Sequence, residues 1–238
     1  MALSNLRRGA RDHGVTLDDT QAAQFERYAV LLRAWSDRAG LVADASAAVV
    51  ERRHFLESLA FGAALREREV LRPDSALIDI GSGAGLPGAV LKIAWPTLRL
   101  TLLEATAKKT AFLAALVEDL RLDGVRVLTG RAEELARDEA LRGAFDLVVA
   151  RAVAPLPVLL ELALPFARVG GRLATVKGSR TQAELAAARH ALDVLGARCV
   201  TFPLDVPGPR QQVVVAVKLR ETPDAYPRRA GVPNKRPL

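Results

Sequence analysis

The chain has 238 residues, half of them hydrophobic, and a formal net charge of +7 with a sequence pI near 10.1, so it can bury a full core as one large domain with an appendage and favours a polyanionic partner. A single cysteine, Cys199, excludes an internal disulfide framework and points to the cytoplasm. The longest apolar stretch, 152–169, is broken by Glu161, Arg168 and three prolines, so neither a membrane span nor a signal peptide is expected.

Taken in chain order, the first regular pattern is a helical stripe between Leu17 and Arg38, with Phe25, Ala29, Leu32, Trp35 and Ala39 on one face and Gly40 as its stop. A second helix is expected from Ser46, as N-cap, through His54 and Leu59 towards Leu65. Together they form an N-terminal helical cap over residues 1–72. After Pro73 short β-rich runs near 76–80, 98–104, 125–129, 145–150 and 172–177 alternate with helical stretches, the signature of a doubly wound parallel sheet in an α/β, Rossmann-like domain over 73–220. A helix near 181–195 precedes two runs, Arg198–Leu204 and Val213–Leu219, joined by a Pro- and Gly-rich turn. Runs joined so closely pair antiparallel. The segment 221–238 is a basic, Pro-rich tail that cannot form a regular helix. It suits either a phosphate backbone or open solvent.

The most informative stretch is Leu77-Ile78-Asp79-Ile80-Gly81-Ser82-Gly83-Ala84-Gly85-Leu86-Pro87-Gly88. An apolar strand ends in Asp79, Gly81, Gly83 and Gly85 allow a tight turn and close ligand approach, and Pro87 can open a helix. Nineteen residues after Gly85, Glu104 ends a second apolar run, where an acid can accept both ribose hydroxyls of a nucleoside. A nicotinamide dinucleotide remains an alternative, because Gly83, Gly85 and Gly88 also fit G-x-G-x-x-G. S-adenosylmethionine fits better: it carries a sulfonium and an ammonium but no phosphate, so the Asp79 carboxylate attracts it. A parallel sheet ending in an antiparallel hairpin, the arrangement of class I S-adenosylmethionine-dependent methyltransferases, tilts the choice the same way.

In such sheets ligands sit outside the carboxyl ends of the strands. Arg151, after the fourth strand, is a long cation at the mouth of the sheet, costly unless it meets an anion. A salt bridge to Asp79 or Glu104 competes there with contact to the cofactor carboxylate, RNA phosphate or target base. Glu133 is either a ligand or a solvated acid in a helix's first turn. Lys108 and Lys109 follow Thr106, a predicted N-cap, and oppose the helix dipole. With Lys177, Arg180, Arg228 and Arg229 they form an expected RNA-binding rim. No Asp-Pro-Pro-Tyr or Pro-Cys motif supplies an acceptor for an exocyclic amine or a nucleophile for cytosine C5. Ring-nitrogen methylation, which needs no obligatory base at guanine N7, fits that silence. His13 and His190 read as surface residues and His54 as structural, and no metal is expected.

These residues, with His54-Phe55-Leu56-Glu57-Ser58-Leu59, Arg151-Ala152-Val153-Ala154-Pro155-Leu156 and Tyr226-Pro227-Arg228-Arg229, resemble the bacterial small-subunit rRNA methyltransferase G family, also called glucose-inhibited division protein B, from about Phe25 onward. The resemblance implies methyl transfer to guanine N7 in a decoding-region loop of 16S rRNA, at guanine 527. The expected partner is that RNA or a small-subunit precursor, and the chain is expected to be a monomer. The resemblance maps cofactor contacts onto Gly81, Leu86, Glu104, Ala132, Glu133 and Arg151, the last also the catalytic candidate. Asp79, Gly83, Gly85, Ala105 and Thr106 complete the expected cofactor set. The chain departs from the family pattern at Trp35-Ser36 and Gly40-Leu41-Val42, where the family shows Trp-Asn and Asn-Leu-Thr.

Overall fold

A computed structural model describes residues 3–238; the first two residues of the expected cap lie outside them. The cap opens with α1 (Leu6–Asp12), a helix absent from the sequence reading. Its pattern is weak because only Leu6 and Ala10 are buried among charged neighbours. Gly9 lets it close on the rest of the cap: a Cβ there would stand 2.7 Å from a Leu56 methyl.

α2 (Asp19–Ala39) starts at Asp18, whose carboxylate accepts from the Gln21 N–H at 2.8 Å while the Gln21 side chain accepts from the Asp18 N–H at 2.9 Å. This reciprocal cap satisfies two donors that a helix start otherwise leaves free. Gly40 ends the helix at φ 61°, a conformation glycine adopts without steric cost.

The second predicted helix is not continuous. α3 (Ala47–Val49) leads into a π-helical segment, Val50–Leu56, before α4 (Glu57–Glu67). Ser46 precedes it with extended backbone but makes no side-chain cap bond. The wider turn carries His54 and hands over to the α4 face that bears Glu57 and Ser58. Local periodicity carries no signal for such a bulge, which recurs at functional sites.

Beyond the cap the chain alternates through β1 (Ala76–Ile80), α5 (Gly88–Ala94), β2 (Arg99–Glu104), α6 (Ala107–Asp119), β3 (Val125–Thr129), α7 (Ala132–Leu135), β4 (Phe145–Ala150), α8 (Leu156–Ala163) and β5 (Ala167–Lys177). Then come α9 (Thr181–Ala187), α10 (Arg189–Leu195), β6 (Ala197–Leu204), β7 (Gln211–Lys218) and α11 (Val232–Lys235). The predicted helix at 181–195 is therefore two helices meeting at the fully buried Ala188. β5 starts earlier than expected, with a pairing irregularity against β4 between Phe145 and Leu147.

The strands are ordered β3-β2-β1-β4-β5-β7-β6, and β7 runs antiparallel to both its neighbours. Alternation along the strands splits the core. Leu77, Leu100, Leu102, Leu147 and Val149 pack with the cap, α5 and α6, whereas Ile78, Ile80, Leu103, Val148 and Ala150 pack with α8 and α10. Both faces of the central strands are covered, so β1, β2 and β4 read as largely apolar runs. The order reverses between β1 and β4, which opens a crevice at their carboxyl ends.

Candidate active site

The loop after β1 lies at this crevice. Gly81, Gly83 and Gly85 have φ of 67°, 54° and 82°, the left-handed region that L side chains rarely adopt. A Cβ on Gly81 would come within 2.8 Å of Val153, and one on Gly85 within 2.7 Å of the Tyr28 hydroxyl. Glu104, 7 % exposed, ties the loop to the end of β2. The Gly83 N–H donates to its Oε2 at 3.0 Å, and the Thr106 N–H to its Oε1 at 2.9 Å. Its orientation is thus fixed, and each oxygen keeps a further lone pair for a hydroxyl donor. Thr106 itself makes no side-chain cap on α6.

Gly81, Glu104, Ala105, Ala132, Glu133 and Val153 surround a cavity of about 170 Å³. Gly83, Gly85, Leu86 and Thr106 build the loops behind it. Asp79 does not face it. The carboxylate is fully buried, with Oδ2 accepting from the Gly88 N–H at 2.8 Å at the start of α5 and Oδ1 without a partner. Burial pushes its pKa up to about 7 against the pull of that N–H. The expectation that Asp79 meets a cationic cofactor group gains no support from this geometry: the carboxyl is turned into the core, where it anchors the start of α5.

Arg151 leaves β4 on the other side of the crevice. Its neighbour Ala152 has φ 56°, and the loop it begins divides two cavities: Val153 and Ala154 border the first, Arg151 and Ala152 a second of about 240 Å³. Arg53, Glu57, Ser58, Phe61 and Lys177 also line the second. Neither expected salt bridge exists, since no carboxylate oxygen lies within 4.0 Å of the guanidinium among the described residues. Instead it donates to His54 Nδ1 at 2.9 Å and approaches Ser58 Oγ at 3.5 Å. Burial lowers its pKa, with Glu57 the strongest opposing influence. His54, Glu57 and Ser58 therefore belong to the site, although the sequence reading left His54 as structural and assigned nothing to the others.

The basic rim is smaller than expected. Lys108, Arg180 and Arg229 are exposed and Lys109 is half-exposed. Lys177 is spent internally: its ammonium donates to the Ala154 carbonyl at 2.7 Å and pairs with Glu184 at 2.9 Å, leaving the side chain 12 % exposed. Arg228 is spent too. Its fork and backbone N–H hold Glu161, which is fully buried, at 2.7–2.9 Å. For both residues the side chain is engaged with internal partners, which argues against the reading as phosphate ligands.

The tail, expected to form no helix, folds back and carries the short α11. The Gly231 N–H donates to Glu133 Oε1 at 3.0 Å, α11 follows, and Asn234 borders the first cavity. Glu133 is accordingly not solvated: it is buried, carries the tail through Oε1 and still borders the first cavity. At the departure from the family pattern, Ser36 donates from its hydroxyl to the Leu32 carbonyl at 2.7 Å within α2, and Trp35 lies under the Arg38 guanidinium at 3.8 Å.

A glycine loop after β1, a buried acid at the end of β2 and a mixed sheet with one antiparallel strand are the marks of class I S-adenosylmethionine-dependent methyltransferases. The fold is similar to that of a mutant of MtNAS in complex with S-adenosylmethionine, at a TM-score of 0.53 and 18 % identity, covering 92 % of this chain and 78 % of that one. It is also similar to a SAM-dependent methyltransferase from Aquifex aeolicus, at 0.50 and 17 %, covering 67 % and 92 %. The family model described as rRNA small subunit methyltransferase G matches residues 21–213, and the chain belongs to that family. Ribosomal RNA small subunit methyltransferase G of Chloroflexus aggregans is 46 % identical over 94 % of this chain and 93 % of its own length. The enzyme of the same name from Roseiflexus castenholzii is 43 % identical over 99 % and 100 %. Membership removes the dinucleotide alternative, and S-adenosylmethionine is the cofactor.

Proposed function

We propose that this chain transfers the methyl group to N7 of a guanine in a decoding-region loop of 16S rRNA, guanine 527, in the cytoplasm, on the free RNA or a small-subunit particle. Arg151 carries the reading. A largely desolvated guanidinium with no carboxylate partner stands beside the glycine loop, where an anion or a carbonyl edge must complete it.

When bound, S-adenosylmethionine supplies an electrophilic methyl group on a sulfonium. Glu104 would accept from the ribose hydroxyls, and Gly81, Ala105 and Ala132 leave room for the nucleoside in the first cavity. The residues around the second cavity hold the guanine. Its N7 presents an in-plane lone pair and loses no proton on methylation, so the site has to orient the base and exclude water rather than supply a base catalyst. Arg151 reaches O6 on the same edge. Lys108, Lys109, Arg180 and Arg229 remain available to phosphates, and no helix of the described residues is long and apolar enough to cross a membrane.

The test is to map methyl groups on 16S rRNA from cells lacking and regaining this protein. One guanine should gain an N7-methyl with the protein. A methyl at another atom, or none, would refute the reading; none alongside retained RNA binding would point to a binding protein that has lost catalysis.

A further inference from the structure

Glu57 and Arg151 line the same cavity, and their charges sense one another, yet they do not close an ion pair: their nearest nitrogen and oxygen stand more than 4.0 Å apart. The Glu57 carboxylate has no hydrogen-bond or ion-pair partner among the described residues, although the side chain is half-buried. Carboxylates so placed usually take the nearest cation, and two opposite charges left open across a cavity favour a ligand that offers each its complement. Phe61 and Pro87 line the same cavity with apolar surface, as a planar heterocycle requires. Glu57 belongs to the first turn of α4, so its position is set by the same element that holds Arg151 through Ser58.

Guanine alone among the RNA bases carries an acceptor, O6, directly beside two donors, N1–H and the N2 amine. We propose that Glu57 is the specificity residue for guanine: its two oxygens accept from N1–H and N2–H while Arg151 donates to O6. This rests on the reading of the site as a guanine-N7 methyltransferase and adds to it how the base is chosen. N7 lies on the far side of O6 from N1, so both contacts leave the reacting atom free. Adenine would turn its N1 lone pair towards the carboxylate and its amine towards the guanidinium. Both contacts would become repulsive.

The experiment uses 16S RNA built by ligation with guanine or inosine at the target position, offered to the parent and to Glu57→Gln. Inosine keeps O6 and N1–H but lacks the N2 amine. A bidentate contact is worth a tenfold to hundredfold preference on the scale of base readout, so the parent should favour guanine by roughly that factor in kcat/KM. Glu57→Gln places an amide donor against N2–H. It should lose roughly tenfold to hundredfold on guanine and much less on inosine, bringing the two substrates close to parity. S-adenosylmethionine affinity, measured by calorimetry, should match the parent and report an intact fold. Glu57→Ala should level the two substrates in the same way. Equal losses on guanine and inosine, or no loss on either, would overturn the role of Glu57 while the parent's activity left the wider reading standing. A parent that does not methylate guanine N7 would overturn both.

Discussion

One terminal nitrogen of Arg151 donates to Nδ1 of His54 at 2.9 Å. A guanidinium can only donate, so Nδ1 is the acceptor and the ring proton sits on Nε2, which is buried without a partner. Burial and the adjacent Arg151 charge press the His54 pKa down to about 4. The neutral imidazole holds the guanidinium from the cap side, at the wall of the second cavity.

Arg151→Lys keeps the charge but loses the planar fork. The variant should fold, bind S-adenosylmethionine, and lose roughly 1.5–3 kcal/mol of transition-state stabilisation, the scale of a hydrogen bond to a charged group. Steady-state kinetics separate its roles: a fall in kcat at saturating cofactor marks guanine positioning, a rise in cofactor KM marks the cofactor carboxylate. Parental rates at saturating and subsaturating cofactor would remove Arg151 from the site.

Glu104→Ala should weaken S-adenosylmethionine binding by roughly 1.5–3 kcal/mol. It frees the N–H groups of Gly83 and Thr106 as well as removing an acceptor for the ribose. Calorimetry on a variant with a parental melting curve decides the matter. Undiminished affinity would exclude the ribose role.

The corrected rim predicts a division of labour among the cations. Neutralising Lys108, Lys109, Arg180 or Arg229 should lower the log–log salt slope of RNA affinity by about 0.7–0.9 per lost phosphate contact. Arg228→Ala should leave that slope alone. It leaves the buried Glu161 carboxylate with only the backbone N–H of residue 228, a loss of the order of 3–5 kcal/mol in stability by thermal or denaturant unfolding. A variant at Arg228 with a changed slope and an unchanged melting temperature would reverse the assignment.

Asp79 supplies a pH signature. Its folded pKa, near 7, exceeds the unfolded value of 3.8, so the folded state binds the extra proton between them. The associated stability is full below pH 3.8, is lost as pH rises towards 7 and stays lost above. Asp79→Asn keeps an acceptor for the Gly88 N–H without a charge, and should gain stability relative to the parent as pH climbs from 4 to 8. His54 titrates in the opposite sense, losing stability as pH falls from 6.5 towards 4. It is common to both proteins, so the difference between their melting temperatures isolates Asp79. A difference flat in pH would contradict the buried charge.

Much of the framework is legible in the residues because its signals are local. β1, its glycines and Glu104 follow one another at fixed spacing, and the turn between β6 and β7 dictates antiparallel pairing. What escapes is set by distance or by geometry with no periodic trace. Arg228 and Glu161 stand 67 positions apart, so nothing local separates a clamp from a phosphate ligand. Asp79 sits at the strand end that ligands favour, but the side chain's direction depends on how closely Gly88 packs, with a Cβ there only 2.7 Å from Oδ2. The π-helical turn that brings His54 to Arg151 likewise has no signature in apolar spacing.

The fold-back of the tail also sets an order of events. Glu133 and Glu161 obtain partners from Gly231 and Arg228, residues translated after every strand of the sheet. Until the tail docks, a sheet already formed leaves both acids unmatched, Glu133 at the wall of the first cavity and Glu161 beneath Arg228. The wall of the nucleoside cavity is therefore shared between the carboxyl ends of the early strands and the last helix, whose Asn234 borders it.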